Sequence, residues 1–194
     1  MKLSITLSYT TPELWAQQAV ADFDTFLQDH ANCERKASAM AMSFIAKCPD
    51  KTEIIPELIE TAQEELEHFK LVYDLMEKRG VQLRKDMDQD LYMKQLIDVC
   101  RSSPEERLMD RMLIASIVEC RGAERFKLVS EALTDPELQR FYKMLWISEA
   151  KHGNLFVKMA LLYWPENEVY TRLEELNVAE GTIISNLKWR PALH

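Results

Sequence analysis

Three observations predict an all-α fold. Only four glycines and seven prolines are spread over 194 residues, which leaves little material for a turn-rich β architecture. Apolar residues recur at helical spacing, as in Trp15, Ala19, Phe23 and Phe26. The longest periodic stretches are arranged as two hairpins of similar arm length, joined through a polar middle segment. With 47% hydrophobic and 29% charged residues, positions 1–194 are expected to form one domain that buries a sizeable core without disulfides or a structural metal.

Each element follows from its punctuation. Thr11 and Pro12 read as the cap and first residue of an opening helix that runs to about Gln28. A second helix begins near Asp29 and carries "CERKASAMAMSFIAK" to Lys47, where Cys48, Pro49 and Asp50 stop it. Asp50 and Glu53 have the spacing of a capping box for a third helix. Pro56 should kink or delay its first turn, and Gly80 stands where a C-terminal cap belongs. A shorter helix is expected over 86–101. Ser103 and Pro104 open a long one, "EERLMDRMLIASIVECRGAERFKLVSEAL". Thr134, Asp135, Pro136 and Glu137 end it and cap the next, which runs to about Tyr163. A short helix from Glu166 to Leu176 and a loose tail complete the bundle.

Charge and cysteine usage narrow the function. A net charge of −8 argues against sequence-blind binding to nucleic acid, which needs local cations against phosphate, though it permits a local basic patch. Cys33, Cys48, Cys100 and Cys120 have no CxxC spacing and read as reduced, packing thiols. No apolar run is long enough to span a bilayer and no signal-peptide pattern opens the chain, so a cytoplasmic protein without membrane contact is expected.

The chemistry concentrates in a doubled motif. Glu65 and His68, and again Glu149 and His152, stand three apart on helices, so each pair presents a carboxylate and an imidazole on one face. Glu34 and Glu65 lie at nearly equal distances from the turn at Asp50, and Glu119 and Glu149 at nearly equal distances from the turn at Asp135. Glu119 also sits among Ile114, Ala115, Ile117 and Val118, where an isolated charged carboxylate would be costly unless it met a cation. Two glutamates from two helices and two Glu-x-x-His pairs from the others are the pattern of carboxylate-bridged di-iron bundles. Oxygen donors with imidazole suit iron or manganese, and two Fe(II) offset the charge of four carboxylates. His30, on the face of Glu34, is either a support for the centre or a structural residue. Small neighbours (Ala37, Ser38, Ala115, Gly122, Ala123) either allow close helix approach or line a pocket.

The segments "DHANCERKASAMA", "AQEELEHFKLVYDLMEKRGV", "ERLMDRMLIASIVECRGAERF" and "LQRFYKMLWISEAKHG" together resemble the MiaE-type tRNA hydroxylases, non-haem di-iron monooxygenases of the ferritin-like superfamily. The resemblance runs over nearly the whole chain. It implies a ferritin-like four-helix bundle with additional short helices, and O2-dependent hydroxylation of the isopentenyl group of 2-methylthio-N6-isopentenyladenosine next to the anticodon of tRNA. By motif matching, Glu34, Glu65, His68, Glu119, Glu149 and His152 would hold two iron ions. O2 would be the co-substrate, and a separate reductase or ferredoxin would supply two electrons, since no flavin, haem or nicotinamide signature is present. Arg35, Lys36, Arg121, Arg125 and Lys151, within a turn or two of these positions, are the candidate RNA contacts, with Arg101, Lys188, Trp189 and Arg190 as an extension. A monomer or small homo-oligomer is expected.

Two other readings compete. A ferritin- or rubrerythrin-like oxidase or peroxidase would share the centre without an RNA substrate, and a non-catalytic helical interaction module would leave the glutamates incidental.

Overall fold

A computed structural model describes residues 5–86 and 89–194. Among the described residues the regular structure is entirely helical: α1 (Glu13–Ala21), α2 (Phe23–Lys47), α3 (Ile55–Arg79), α4 (Leu91–Asp98), α5 (Pro104–Ala132), α6 (Pro136–His152), α7 (Leu155–Ala160) and α8 (Glu166–Asn186). Among the described residues no helix is long and apolar enough to cross a membrane. The chain gathers into two compact units, whose described residues are 18–86 with 190–193, and 5–17, 89–189 and 194.

The first of these units is the α2–α3 hairpin. Asp22 starts α2 by accepting from the Thr25 N–H, so the helix begins earlier than the expected break at Asp29. Asp29 lies inside the helix and accepts from the Leu193 N–H. No capping box forms at Asp50: α3 opens at Ile54 without a side-chain cap, and Pro56 occupies its first turn, where a missing N–H costs nothing. At the far end Gly80 takes φ 71°, and Val81 N–H reaches back to Met76 O at 2.9 Å. That left-handed C-terminal turn is open to glycine without a Cβ penalty. Arg79 then bonds Asp24 at 2.9 and 3.1 Å and lies over the Phe23 ring, tying the end of α3 to the start of α2. Midway, Ser38 Oγ donates to Ala62 O at 2.8 Å, so at this position the small residue serves close approach of the helices.

The other unit is built on α5, which packs against α6, α7 and α8. Asp135 caps α6 through the Glu137 and Leu138 N–H groups. The helix expected to reach Tyr163 ends at His152, and the short α7 follows. The expected 86–101 helix is also shorter, since Asp90 caps it at Met93 N; positions 87 and 88 lie outside the described residues. Conversely α8 extends ten residues beyond Leu176, to Asn186. Polar groups in its buried face explain the underestimate: Asn177 receives Ser8 N–H and donates to Thr6 O, and Glu180 is fully buried. A Cβ on Gly181 would lie 2.2 Å from Ser8 Oγ, so a side chain there would displace the Ser8 hydroxyl from the bond it donates to Asn177 O. Thr11 does not cap α1; its N–H and hydroxyl both donate to Glu124.

Candidate metal centre

In the α2–α3 unit, Glu34 comes from α2, and Glu65 and His68 from α3, one turn apart. All three are buried. His68 Nδ1 lies 3.7 Å from Glu34 Oε2 and 3.7 Å from Glu65 Oε2. That is too long for a hydrogen bond. The donor atoms nonetheless lie close enough to one another that one cation could be held between them. The other oxygen of Glu34 is held by His30, whose Nε2 stands 2.6 Å from Oε1. His30 is fully buried with its ring against Phe26.

The α5–α6 unit repeats the construction. Glu119 comes from α5, and Glu149 and His152 from the last turns of α6. All three are buried, and His152 Nδ1 lies 3.8 Å from Glu149 Oε2. In both triads, one donor atom from each residue lies within 4.8 Å of the others. The close approach of α5 to the end of α6 depends on Gly153, because a Cβ there would meet Cys120 Sγ at 2.5 Å. Burial pushes the Cys120 thiol up to about 11, so it is a protonated packing group at neutral pH.

The residues present fit a first-row metal. Each triad is two carboxylate oxygens and one imidazole nitrogen, a hard donor set suited to iron or manganese. Buried carboxylates one turn or one helix apart repel unless a cation or a proton offsets them.

The cationic candidates divide. Arg35 and Lys151 are exposed and Lys36 is half-buried, each next in sequence to a triad residue or one beyond it. Arg121 and Arg125, expected as RNA contacts, are instead interior residues. Arg121 is fully buried and donates from Nε and Nη2 to the two oxygens of Glu180, each at 2.8 Å, with Tyr92 OH on the same carboxylate at 2.9 Å. Arg125 is also buried, stacked 4.4 Å from the Trp15 ring, where burial, with Arg121 beside it, lowers its pKa to about 10. Guanidiniums so enclosed hold the unit together and have no face to offer a polynucleotide. Arg101 is likewise committed, with Arg172, to the buried Asp110. Glu180, which organises this interior, carried no local sequence signal.

Comparison with known proteins decides the family. The family described as tRNA-(MS[2]IO[6]A)-hydroxylase (MiaE) matches residues 2–194. The chain belongs to the MiaE family. Among MiaE relatives, the tRNA 2-(methylsulfanyl)-N(6)-isopentenyladenosine(37) hydroxylase of Pseudomonas putida is 36% identical over 180 residues, 93% of this chain and 87% of that protein. The hydroxylase of the same name from Salmonella typhimurium is 30% identical over 108 residues, 56% of this chain and 39% of that protein. Among solved structures, "Protein 43 with aldehyde deformylating oxygenase activity from Synechococcus" superposes with a TM-score of 0.91 at 31% identity, covering 100% of this chain and 96% of that one. The helical fold expected from the spacing, and the ferritin-like class implied by the family resemblance, are thus the fold of this MiaE-family chain.

Proposed function

We propose that the chain is an O2-dependent di-iron monooxygenase that hydroxylates the isopentenyl group of 2-methylthio-N6-isopentenyladenosine next to the anticodon of tRNA. In this reading both units belong to one domain. Glu34, Glu65, His68, Glu119, Glu149 and His152 hold two iron ions there as a single centre. The observation that carries it is the twice-built buried triad, Glu plus Glu-x-x-His, in a member of the MiaE family.

The iron pair, when bound, supplies reductive activation of O2. The balance of the reaction is one C–H bond, O2, two electrons and two protons converted to C–OH and water. The protein supplies the rest. Four carboxylates offset the charge of two Fe(II), the buried Ile114 and Ile117 precede the buried Glu119 on α5 and limit its contact with bulk water, and His30 fixes the orientation of the Glu34 carboxylate. A separate reductase or ferredoxin delivers the electrons, and the enzyme works in the cytoplasm as a monomer or small oligomer.

The test is nucleoside mass spectrometry on tRNA from cells lacking the protein, complemented with the parent chain or with Glu119→Ala. The hydroxylated nucleoside should be absent, return with the parent, and stay absent with the variant, while purified parent carries about two irons. An unchanged nucleoside profile together with RNA-independent iron or peroxide turnover would transfer the assignment to a ferritin- or rubrerythrin-like oxidase.

A further inference from the structure

A cleft of about 470 Å³ opens on the α2–α3 unit, on the helices that carry Glu34 and His68. Among the described residues its lining holds Arg35, Lys36, Arg84 and Lys85 and no acidic side chain. In a chain of net charge −8 that is a local reversal of sign, and it selects an anionic partner. Charge is not its only feature. Phe69, next in sequence to His68, lines the same cleft with Leu83, which is 46% exposed, so cations and an apolar platform share one cleft. Tyr73 stacks against Phe69 at 6.2 Å and stiffens that platform from α3.

The cleft is also held in shape. Gln28 Nε2 donates to Gln82 O at 2.7 Å, fastening to α2 the segment that bears Arg84 and Lys85. Arg35 Nη2 donates to Asn32 Oδ1 at 2.8 Å, which sets the direction of its guanidinium. Its volume falls within the range of roughly 300–1,000 Å³ seen for pre-formed ligand sites. Cations around an aromatic face are how proteins take single-stranded nucleic acid, phosphates on the rim and a base on the ring.

We propose that this cleft seats the substrate RNA loop, with Arg35, Lys36, Arg84 and Lys85 on backbone phosphates and Phe69 stacked on a base beside the one modified. The proposal rests on the hydroxylase reading for the identity of the RNA, but its binding step is measurable alone. Binding of the iron-loaded chain to an anticodon stem-loop carrying the isopentenylated nucleoside is followed by fluorescence anisotropy across a salt series, and turnover is followed on the same RNA.

Arg84→Glu with Lys85→Glu should raise Kd and KM at least about 10-fold and flatten the salt dependence by about 0.7 per phosphate contact removed. Phe69→Leu should weaken binding by about 10-fold with the salt slope kept, and Phe69→Tyr should restore it. Iron content and Tm of the charge variants should match the parent, which separates lost contact from lost fold. Parent-like Kd and salt slope in the charge variants would overturn the cleft assignment even if the parent hydroxylates the RNA. Cleft-dependent RNA binding without turnover would uphold it and remove the hydroxylase reading instead. A parent chain that does not bind the RNA overturns the proposal outright.

Discussion

His30 Nε2 lies 2.6 Å from Glu34 Oε1, one turn back on α2, and the corresponding position before Glu119 on α5 is Ala115. The two triads are therefore alike in their donors and unlike in what supports them. Partners of this kind typically change metal affinity 10- to 100-fold when removed. His30→Ala should weaken iron binding by about that factor, with the loss confined to one of the two ions. Iron titration of the purified variant should give stoichiometry falling from about two toward one, with His30→Gln recovering part of it. Equal loss of both ions would show that His30 supports the fold as a whole.

The triads should oppose the stability of the metal-free chain. Glu34 and Glu65 in one unit, and Glu119 and Glu149 in the other, bring buried carboxylates to the same level, and removing one relieves repulsion while deleting a donor. Glu65→Gln and Glu149→Gln are expected to raise the Tm of the chelated protein by about 2–4 °C per kcal/mol relieved. Both should forfeit the stabilisation that iron gives the parent, about 2.7 kcal/mol when the free ion is 100 times its Kd. Calorimetry with and without chelator reads both effects. A variant that melts below the parent in both conditions would mean that the carboxylate is a structural acceptor.

How far these features were legible depended on whether the signal was local. Glu65 with His68 and Glu149 with His152 could be paired because i and i+3 share a helix face, and their burial follows. Arg121 and Arg125 read as RNA contacts because they lie within a turn or two of Glu119; what encloses Arg121 is Glu180, 59 residues on, and what covers Arg125 is Trp15, and nothing near either residue announces it. The same buried carboxylate, with Asn177, gave α8 the look of a loose tail. The α1–α2 break was misplaced for a subtler reason. Asp22 and Asp29 are both plausible caps, and the choice turns on Asp29 being engaged by the backbone of Leu193.

Acid stability should pass through Asp110. Burial alone would raise its pKa, but hydrogen bonds from Arg172 and Arg101 outweigh burial and hold the carboxyl below its ordinary 3.8. A carboxyl with a lowered folded pKa contributes stability in full above the unfolded value, near 3.9, and loses it as pH falls through the folded one. Asp110→Asn should cost about 1.5–3 kcal/mol at neutral pH, the range for hydrogen bonds to charged groups. Urea unfolding at pH 7, 5 and 3.5 should show parent and variant equally separated at the first two and the gap beginning to narrow at the last. A gap of constant size down to pH 3.5 would show that shape, rather than charge, is what Asp110 contributes.

Gly153 follows His152 directly, and its missing side chain decides how near α6 comes to α5. A Cβ there would lie 2.5 Å from Cys120 Sγ, well inside contact distance, and Cys120 itself follows Glu119. Gly153→Ala therefore pushes on two neighbours of the Glu119, Glu149 and His152 triad at once. Positions in such sites must be held within about 0.5 Å, so the displacement should reduce iron affinity out of proportion to any loss of stability. The conflict is with a single sulfur atom, and that gives a decisive control. Cys120→Ala removes the sulfur and, combined with Gly153→Ala, should restore iron binding toward the parent, although Cys120→Ala alone opens a small void. Iron affinity and Tm across this double-mutant cycle should show a favourable coupling of about 0.5–3 kcal/mol, the range for side chains in contact. Additive losses in the double variant would mean that Gly153 matters for the backbone at the end of α6 and not for the approach to Cys120.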